Sequence, residues 1–532
     1  MGLADEEALL NAFKSSIRSK NLVRGKHVHA YMVLTWIKVP VFFLNIITDM
    51  YAKCGSLQDA FAVFNAIENR NLISWNVMVA NQVKCGAPKD AITVFRQMNM
   101  EGVAPDHVTF LGLLDACSCM SDLASGIQAH IQLVSSGLKP QSMTTNALIN
   151  MYTKCYSMDL AHKVFEKMDE HTVISWNTLL SGYSMHRDWS RVIKCFEEMT
   201  HSPVEADYVS YLIAVNACAS IGALELGLNV HTKLKQAGVK HDVVLENALL
   251  DMYTKCGGID IALQIFNQMQ VRNVISWTVM IMSNYYYRSL DMAFFLFDQM
   301  HCEGIIANDA TILGILGACC NFGNFKRGQQ IHAVLVNNEY EDFVHVGNAV
   351  IDMYSKLGSL ENAHRCFDSM RKRDGITWNT IVSSYAKCGY AKEVLELLQQ
   401  MREEGIKLDS TALAVVLSAC SRAGLVAEAF TCLTTIQDDD QVTPNADYYA
   451  CIVDLLARAG LLEMADELHE CNLNQISLSS WRALLSACKV HGDSERAKAM
   501  ANTLLHTQPS NAEVLDVISN MHYFLREDSI MR

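Results

Sequence analysis

The sequence predicts an all-α protein, a solenoid of stacked helix-turn-helix repeats. Three observations carry that expectation. The chain repeats itself every 101 residues, its apolar residues recur at helical spacing, and its 532 residues include only seven prolines and 27 glycines. Strands need frequent turn punctuation, so this scarcity favours helices with short connections.

The period is read from markers of different chemistry. Trp75, Trp176, Trp277 and Trp378 stand 101 residues apart, as do Tyr51, Tyr152, Tyr253 and Tyr354. Cys117, Cys218, Cys319 and Cys420 keep the same step, and so do His29, His130, His231 and His332, and Gly25, Gly126, Gly227 and Gly328. Chance does not supply five markers on one period, so the chain is an array. On one register the unit divides into pieces of 31, 35 and 35 residues. These run 41–71, 72–106 and 107–141, then 142–172, 173–207 and 208–242, then 243–273, 274–308 and 309–343, then 344–374 and 375–409. Residues 6–40 open the array, and 410–445, 446–477 and 478–532 close it with looser spacing.

Each piece reads as two helices. In 41–71, Ile46, Ile47, Met50 and Tyr51 form one apolar stripe and Leu57, Ala60, Phe61 and Phe64 the next. Gly55 between them can close the first helix in a left-handed conformation. Ser56 can cap the second, with Asp59 in the position of a capping box. One hairpin cannot bury its stripe alone, so neighbours must stack.

These pieces resemble a known family. The 35-residue text from Val274-Ile275-Ser276-Trp277 through Asn308 resembles pentatricopeptide repeats, and the alternation of lengths resembles the plant PLS subclass associated with organelle RNA editing. Asn247-Ala248-Leu249-Leu250-Asp251-Met252-Tyr253 through Gly257 is similar to that subclass's short S-type consensus. Tetratricopeptide repeats, the structural competitor, keep a 34-residue length that this chain does not. The resemblance implies a right-handed superhelix. It makes 6–40, 107–141, 208–242, 309–343 and 410–445 L-type repeats, and 41–71, 142–172, 243–273, 344–374 and 446–477 S-type. The P-type repeats are then 72–106, 173–207, 274–308 and 375–409. Residues 478–532, with Trp481-Arg482-Ala483-Leu484 and His491-Gly492-Asp493, resemble an incomplete set of C-terminal extension motifs, without a deaminase domain of the DYW type.

Asparagine is a poor helix-interior residue, yet it recurs at the fifth position of the S- and P-type pieces. Two readings stand: a hydrogen bond between stacked hairpins, or an amide offered to an unstacked base. The L-type equivalents Leu111, Leu212 and Leu313 point away from a purely structural role. In the family, the fifth and last residues of a repeat jointly choose a base. The resemblance therefore implies U for Asn76 with Asp106, Asn177 with Asp207, Asn348 with Asp374 and Asn379 with Asp409. It implies C or U for Asn45 with Asn71 and Asn247 with Asn273, a pyrimidine for Asn146 with Thr172, and A for Thr278 with Asn308. The expected core is 5′-YUnYUnYAnUU-3′, with the edited cytidine a few nucleotides 3′ of it.

Second-position Ile73, Ile174, Ile275 and Ile376 read either as core or, by the resemblance, as residues that sandwich each base. Lys53, Lys154, Lys255 and Lys356, joined by Lys84 and Lys387, suit either the helix dipole or RNA phosphates. The net charge of −14 argues against a general polyanion binder but leaves room for such a local stripe.

Catalytic signatures are missing. The 18 cysteines include no Cys-x-x-Cys, and Cys54, Cys155 and Cys256, like the Cys117 series, hold fixed repeat positions that suit buried packing. His130, His231 and His332 recur one per unit and cannot converge on one metal. His301-Cys302-Glu303 matches half of a zinc deaminase signature, with no second half following. Asp438-Asp439-Asp440 reads as solvated surface. The expectation is a protein that is not an enzyme and holds no metal or cofactor.

The function expected is sequence-specific binding of single-stranded organelle RNA, guiding cytidine-to-uridine editing with the deaminase supplied by another domain or protein. The alternatives are an RNA stabilisation or processing factor without editing and a protein–protein scaffold. No apolar run approaches 18 residues, so no membrane partner is expected. Met1–Glu7 is acidic and opens straight into a repeat, with no transit stretch, and the chain stops at Arg532 inside an extension motif, so both ends read as incomplete. Localisation to a mitochondrion or plastid, the former preferred, rests on the resemblance.

Overall fold

Every regular element among the described residues is an α-helix. The computed structural model describes residues 3–35, 39–139, 141–240, 242–287, 289–337, 343–407, 410–429, 431, 446–471 and 478–507. The chain forms two compact units, Met1–Met280 and Ile281–Arg532.

In the first unit the helices pair and stack. The first helix of each pair packs on the first helix of the next: Leu3–Ser19, Val41–Lys53, Leu72–Lys84, His107–Met120, Ser142–Lys154, Val173–Met185, Tyr208–Ile221 and Val243–Lys255. The second helices form another layer. Leu57–Asn65, Pro88–Met100, Leu123–Ser135, Met158–Glu166 and their successors each touch their own first helix and the first helix that follows. The second unit repeats the pattern, with Asp309–Phe322, Val344–Lys356, Gly375–Lys387, Ser410–Ala423, Ala446–Arg458 and Leu478–His491 stacked in order. The short pieces lose about one helical turn from the second helix: Leu57–Asn65 has 9 residues where Pro88–Met100 has 13.

Packing explains all five periodic markers. Trp75, Trp176, Trp277 and Trp378 are buried edge-on against Phe64, Phe165, Phe266 and Phe367, with centroids 5.0, 4.6, 4.8 and 4.7 Å apart. Cys117, Cys218, Cys319 and Cys420 are fully buried. The glycines let two helices approach: a β-carbon on Gly126 would stand 2.3 Å from Met151 Sδ, and one on Gly25 2.3 Å from Met50 Sδ. The histidines and tyrosines are partners. A hydrogen bond joins Nδ1 of His29 to the Tyr51 hydroxyl at 2.9 Å, and His130–Tyr152, His231–Tyr253 and His332–Tyr354 repeat it at 2.8, 2.7 and 3.0 Å.

Burial holds His29 below its ordinary value, outweighing the attraction of Asp59, and burial together with Lys167 does the same to His130. The unfolded chain takes up these protons as pH falls through about 6.5 while the folded chain resists them, so stability is full above that pH and declines toward the lower folded values. Urea unfolding is therefore expected to give a lower midpoint at pH 5.5 than at pH 7.5, with the difference reduced in His29→Gln/His130→Gln.

The turn between paired helices follows expectation at its glycine and departs from it at its serine. Gly55 lies at φ +87°, its N–H donating to Ala52 O at 3.0 Å and that of Ser56 to Tyr51 O at 2.9 Å. That double closure needs a left-handed residue. Ser56, however, makes no capping bond, because its hydroxyl donates instead to Asp59 Oδ2 at 2.7 Å, and Asp59 also pairs with Lys26 at 2.8 Å. That hydrogen bond holds the hydroxyl turned from the helix end. Capping boxes form elsewhere, at the piece boundaries. No helix among the described residues is long and apolar enough to cross a membrane.

Candidate nucleic-acid interface

The last residue of a piece is the N-cap of the next first helix. Asn71 Oδ1 accepts from Ser74 N–H at 2.9 Å, Asp106 Oδ1 from Thr109 N–H at 2.9 Å and Asp207 Oδ1 from Ser210 N–H at 3.0 Å. Asp106, Thr172, Asp207 and Asp374 complete capping boxes with Thr109, Ser175, Ser210 and Thr377. These are the sites that the family resemblance marks as base readers. Their capping role was legible too, since a hydroxyl three residues on is the signature.

The fifth-position amide reaches that same cap. Asn76 Nδ2 donates to Asp106 Oδ1 at 3.0 Å, Asn177 Nδ2 to Asp207 Oδ1 at 2.9 Å and Asn247 Nδ2 to Asn273 Oδ1 at 3.1 Å. Asn45–Asn71 and Asn348–Asp374 are longer, at 3.4 and 3.5 Å. The other amide atom is held as well, since Ser210 Oγ lies 2.6 Å from Asn177 Oδ1 and Ser276 Oγ 2.6 Å from Asn247 Oδ1. The two residues paired by position along the chain are thus paired in space, and the hydrogen bond between stacked hairpins is present.

Burial raises the pKa of Asp106, but bonds from Thr109 backbone and side chain and from Asn76 outweigh it, leaving the carboxyl below its ordinary value; Asp207 is set the same way by Ser210 and Asn177. Both stay ionised and accept only. Oδ1 serves the cap and the amide. One amide N–H and the second carboxylate oxygen take no part in those bonds.

Exposure separates the positions. Asn76, Asn177, Asp106 and Asp207 are part-exposed, whereas Asn45, Asn247 and Asn348 in the short pieces are buried. Asn146 and Thr172 are both part-exposed and are not joined to each other, and Thr172 caps Ser175 at 3.3 Å. Thr278 Oγ1 donates to Val274 O at 2.7 Å, and Asn308 caps Thr311 at 2.9 Å. Asn379 is part-exposed, while Asp409 lies outside the described residues, as does Asp438–Asp440.

The isoleucines are not core. Ile73, Ile174, Ile275 and Ile376 are 60%, 67%, 55% and 65% exposed, each three residues before its piece's fifth-position residue. Sequence reading missed their equivalents Phe42, Val108, Met143, Val209 and Val244, which are exposed at the same second position. The register alone would have found them. It also missed Arg70, Arg272 and Arg373, on the 101-residue step, whose guanidinium groups lie over Phe64, Phe266 and Phe367 and donate to those residues' carbonyls at 3.1, 3.0 and 3.0 Å.

The lysines divide. Lys53, Lys255 and Lys356 pair with Asp49, Asp251 and Asp352 one turn back at 2.7, 2.8 and 2.6 Å, while Lys84, Lys154 and Lys387 form no ion pair with a described residue. Exposed pairs of this kind contribute about 0–1 kcal/mol, so a phosphate can compete for them. Burial pushes the thiols of Cys117, Cys218 and Cys319 up to about 12, which leaves them unreactive. Among the described residues no cluster of His, Cys, Asp or Glu could hold a metal.

The repeats match known proteins. The PPR repeat family matches residues 70–119 and 171–220, and the PPR repeat matches 42–72, 143–173, 247–274, 275–305, 348–374 and 376–406. Together these matches take in more than half of the chain. The chain belongs to the pentatricopeptide repeat family. It is 31% identical to pentatricopeptide repeat-containing protein At2g13600 of Arabidopsis thaliana, the alignment covering 97% of this chain and 84% of the relative. It is 30% identical to pentatricopeptide repeat-containing protein At2g03380, mitochondrial, of the same plant, covering 97% of this chain and 75% of the relative. It spans 57% of the length of a third Arabidopsis thaliana member, At3g03580, at 29% identity over 95% of this chain. Among solved structures, the pentatricopeptide repeat protein PPR10 from maize aligns at a TM-score of 0.45 and 16% identity, covering 98% of this chain and 90% of that one.

Proposed function

We propose that this pentatricopeptide repeat protein binds single-stranded RNA by sequence and guides cytidine-to-uridine editing in an organelle. On this reading it is a PLS-subclass member, built from the repeats at the boundaries given above, and a DYW-type deaminase from another domain or protein supplies the chemistry. The observation that carries the reading is the pairing of Asn76 with Asp106 and of Asn177 with Asp207 at part-exposed seams flanked by exposed isoleucine. An amide N–H beside a carboxylate oxygen matches a carbonyl oxygen beside an N–H, the pair that uracil presents with O4 or O2 and N3–H. Cytosine carries a lone pair at N3 and repels the carboxylate.

Where asparagine replaces aspartate, its Oδ1 is committed to the cap, as Asn273 Oδ1 is to Ser276 N–H at 3.0 Å, so its outward atom is a donor. Two donors side by side suit O2 and N3 of cytosine, the stronger of the two bases expected at the Y positions. The part-exposed pairs of the P-type pieces then dominate discrimination, the buried amides of the S-type pieces contributing less. Lys84, Lys154 and Lys387 are the readiest phosphate partners. Arabidopsis thaliana relatives named mitochondrial and chloroplastic support an organelle as the destination.

The test is binding at stated salt to the core 5′-YUnYUnYAnUU-3′ and to the same RNA with guanine at its four U positions. Guanine offers O6 beside N1–H and is therefore the stringent competitor. A preference of tenfold or more for the U-bearing RNA, about 1.4 kcal/mol, is expected. Equal binding that is lost at moderate salt would leave a solenoid with a basic stripe. For the editing half, loss of the protein should abolish editing of a cytidine just 3′ of the core.

A further inference from the structure

The first unit holds a cavity of about 820 Å³ between the second helices Leu123–Ser135 and Met158–Glu166, roofed by the first helix Ser142–Lys154. The same residue positions in the second unit, two periods on, enclose only about 10 Å³ around His332, Val346, Gly347, Val350 and Met370. Comparing the chain with itself shows why.

Val346, 1% exposed, fills the space in the second unit, and Gly347 lets Met370 fold in: a β-carbon there would lie 2.7 Å from Met370 Cε. At the equivalent positions the first unit has Thr144, of the same size, also buried and bonded through Oγ1 to His107 Nδ1 at 3.0 Å, so the difference lies at Thr145, whose side chain stands where Gly347 leaves room for Met370. Other short pieces fill the Thr144 position with Phe43 and Leu245, both buried.

The walls differ too. Leu148, Leu160, Val164 and Met168 line an apolar floor, and Lys139, Lys163 and Lys167 stand around it. The last two correspond to Ala62 and Ala66, Gln264 and Gln268, and Arg365 and Ser369 elsewhere, so two lysines occur together only here among the short pieces that share the register. None of the three lysines pairs with a described carboxylate within the range of an ion pair, although Asp169 and Glu170 also line the opening. Gln141, Ser142 and Thr145 add hydrogen-bonding groups.

Thr144, Leu148 and Tyr152 recur every fourth residue on one stripe of their helix, and Met143 and Asn146 lie on the opposite stripe. The cavity therefore faces away from the base-reading positions and does not hold the RNA bases read there.

We propose that this cavity is a nucleotide-binding site, independent of the RNA-reading face. A volume of this size, an apolar floor and a few converging polar groups are the properties of a small-molecule pocket. Three exposed ammonium groups, against the two carboxylates Asp169 and Glu170, favour an anion of more than one charge, the apolar floor favours an uncharged body, and the hydroxyl and amide groups between suit a sugar. A nucleoside di- or triphosphate combines the three.

The experiment uses the full chain with ADP, ATP, adenosine and inorganic pyrophosphate as probes, in calorimetry and thermal shift. ADP and ATP should bind and raise the unfolding midpoint, with adenosine and pyrophosphate each at least tenfold weaker. Lys163→Gln/Lys167→Gln, residues the chain itself uses at 264 and 268, should weaken ATP at least tenfold. Thr145→Gly, taken from the second unit, should let Met168 fold in, close the cavity and abolish binding. Because both variants borrow residues already accommodated at equivalent positions, circular dichroism should show them folded. Absence of ATP binding to the natural chain would overturn the proposal, as would pyrophosphate binding as tightly as ATP, or undiminished binding to the closed variant.

Discussion

Trp75→Ala is expected to lower the stability of the first unit by about 4 kcal/mol, and Trp75→Phe by about 1 kcal/mol. Trp75 is fully buried against Phe64, with the Arg70 guanidinium 5.5 Å from its ring, and Arg70 in turn bonds Glu101 at 2.9 Å. Truncation to alanine opens a void under two helices and removes the surface on which the arginine rests. The indole N–H finds no acceptor among the described residues, as is true of Trp176, Trp277 and Trp378. Phenylalanine therefore gives up volume but no hydrogen bond. Urea unfolding of the three chains measures the difference, and similar losses for both variants would show that the indole nitrogen matters after all.

The second large effect concerns the base-reading seams. Asp106→Asn/Asp207→Asn should move the preferred base at both positions from U to C, tenfold or more at each, about 1.4 kcal/mol per position. Asparagine caps a helix as well as aspartate does, and Asn71 and Asn273 already serve in that role here. Stability should change little. Alanine at the same sites would remove cap and reader together, costing about 1 kcal/mol each in stability, and could not separate the two. The outward oxygen of the carboxylate becomes an amide N–H, which repels uracil N3–H and donates to cytosine N3.

Much of this was legible in the sequence because the array repeats its own errors and successes. One marker such as Trp75 says little, whereas four on one period fix a register and, through it, every helix pair. The fold followed from that, while the pairing of Asn76 with Asp106, far apart along the chain but meeting at one seam, was implied by the family resemblance and not by the period. What the register could not supply was competition between neighbours. Ser56 looks like a cap until Asp59 turns its hydroxyl away, and Lys53 looks free until Asp49 is placed one turn below it. Nor could periodicity tell an exposed Ile73 from a buried one, since both recur at the same step. The cavity beside Thr144 was hidden for a related reason: it arises from a departure from the repeat, and reading for the period averages such departures away.

The most direct measurement of the central claim is the affinity of two chains for two RNAs at one fixed salt concentration. The natural chain and Asp106→Asn/Asp207→Asn would each be titrated with the predicted core carrying U, or C, at its second and fifth positions. Reciprocal preference is the expected result, the natural chain favouring U and the variant C. If both chains bind both RNAs alike, the amide–carboxylate pairs are helix caps and nothing more, and the reading of this array as a sequence-specific RNA binder is contradicted.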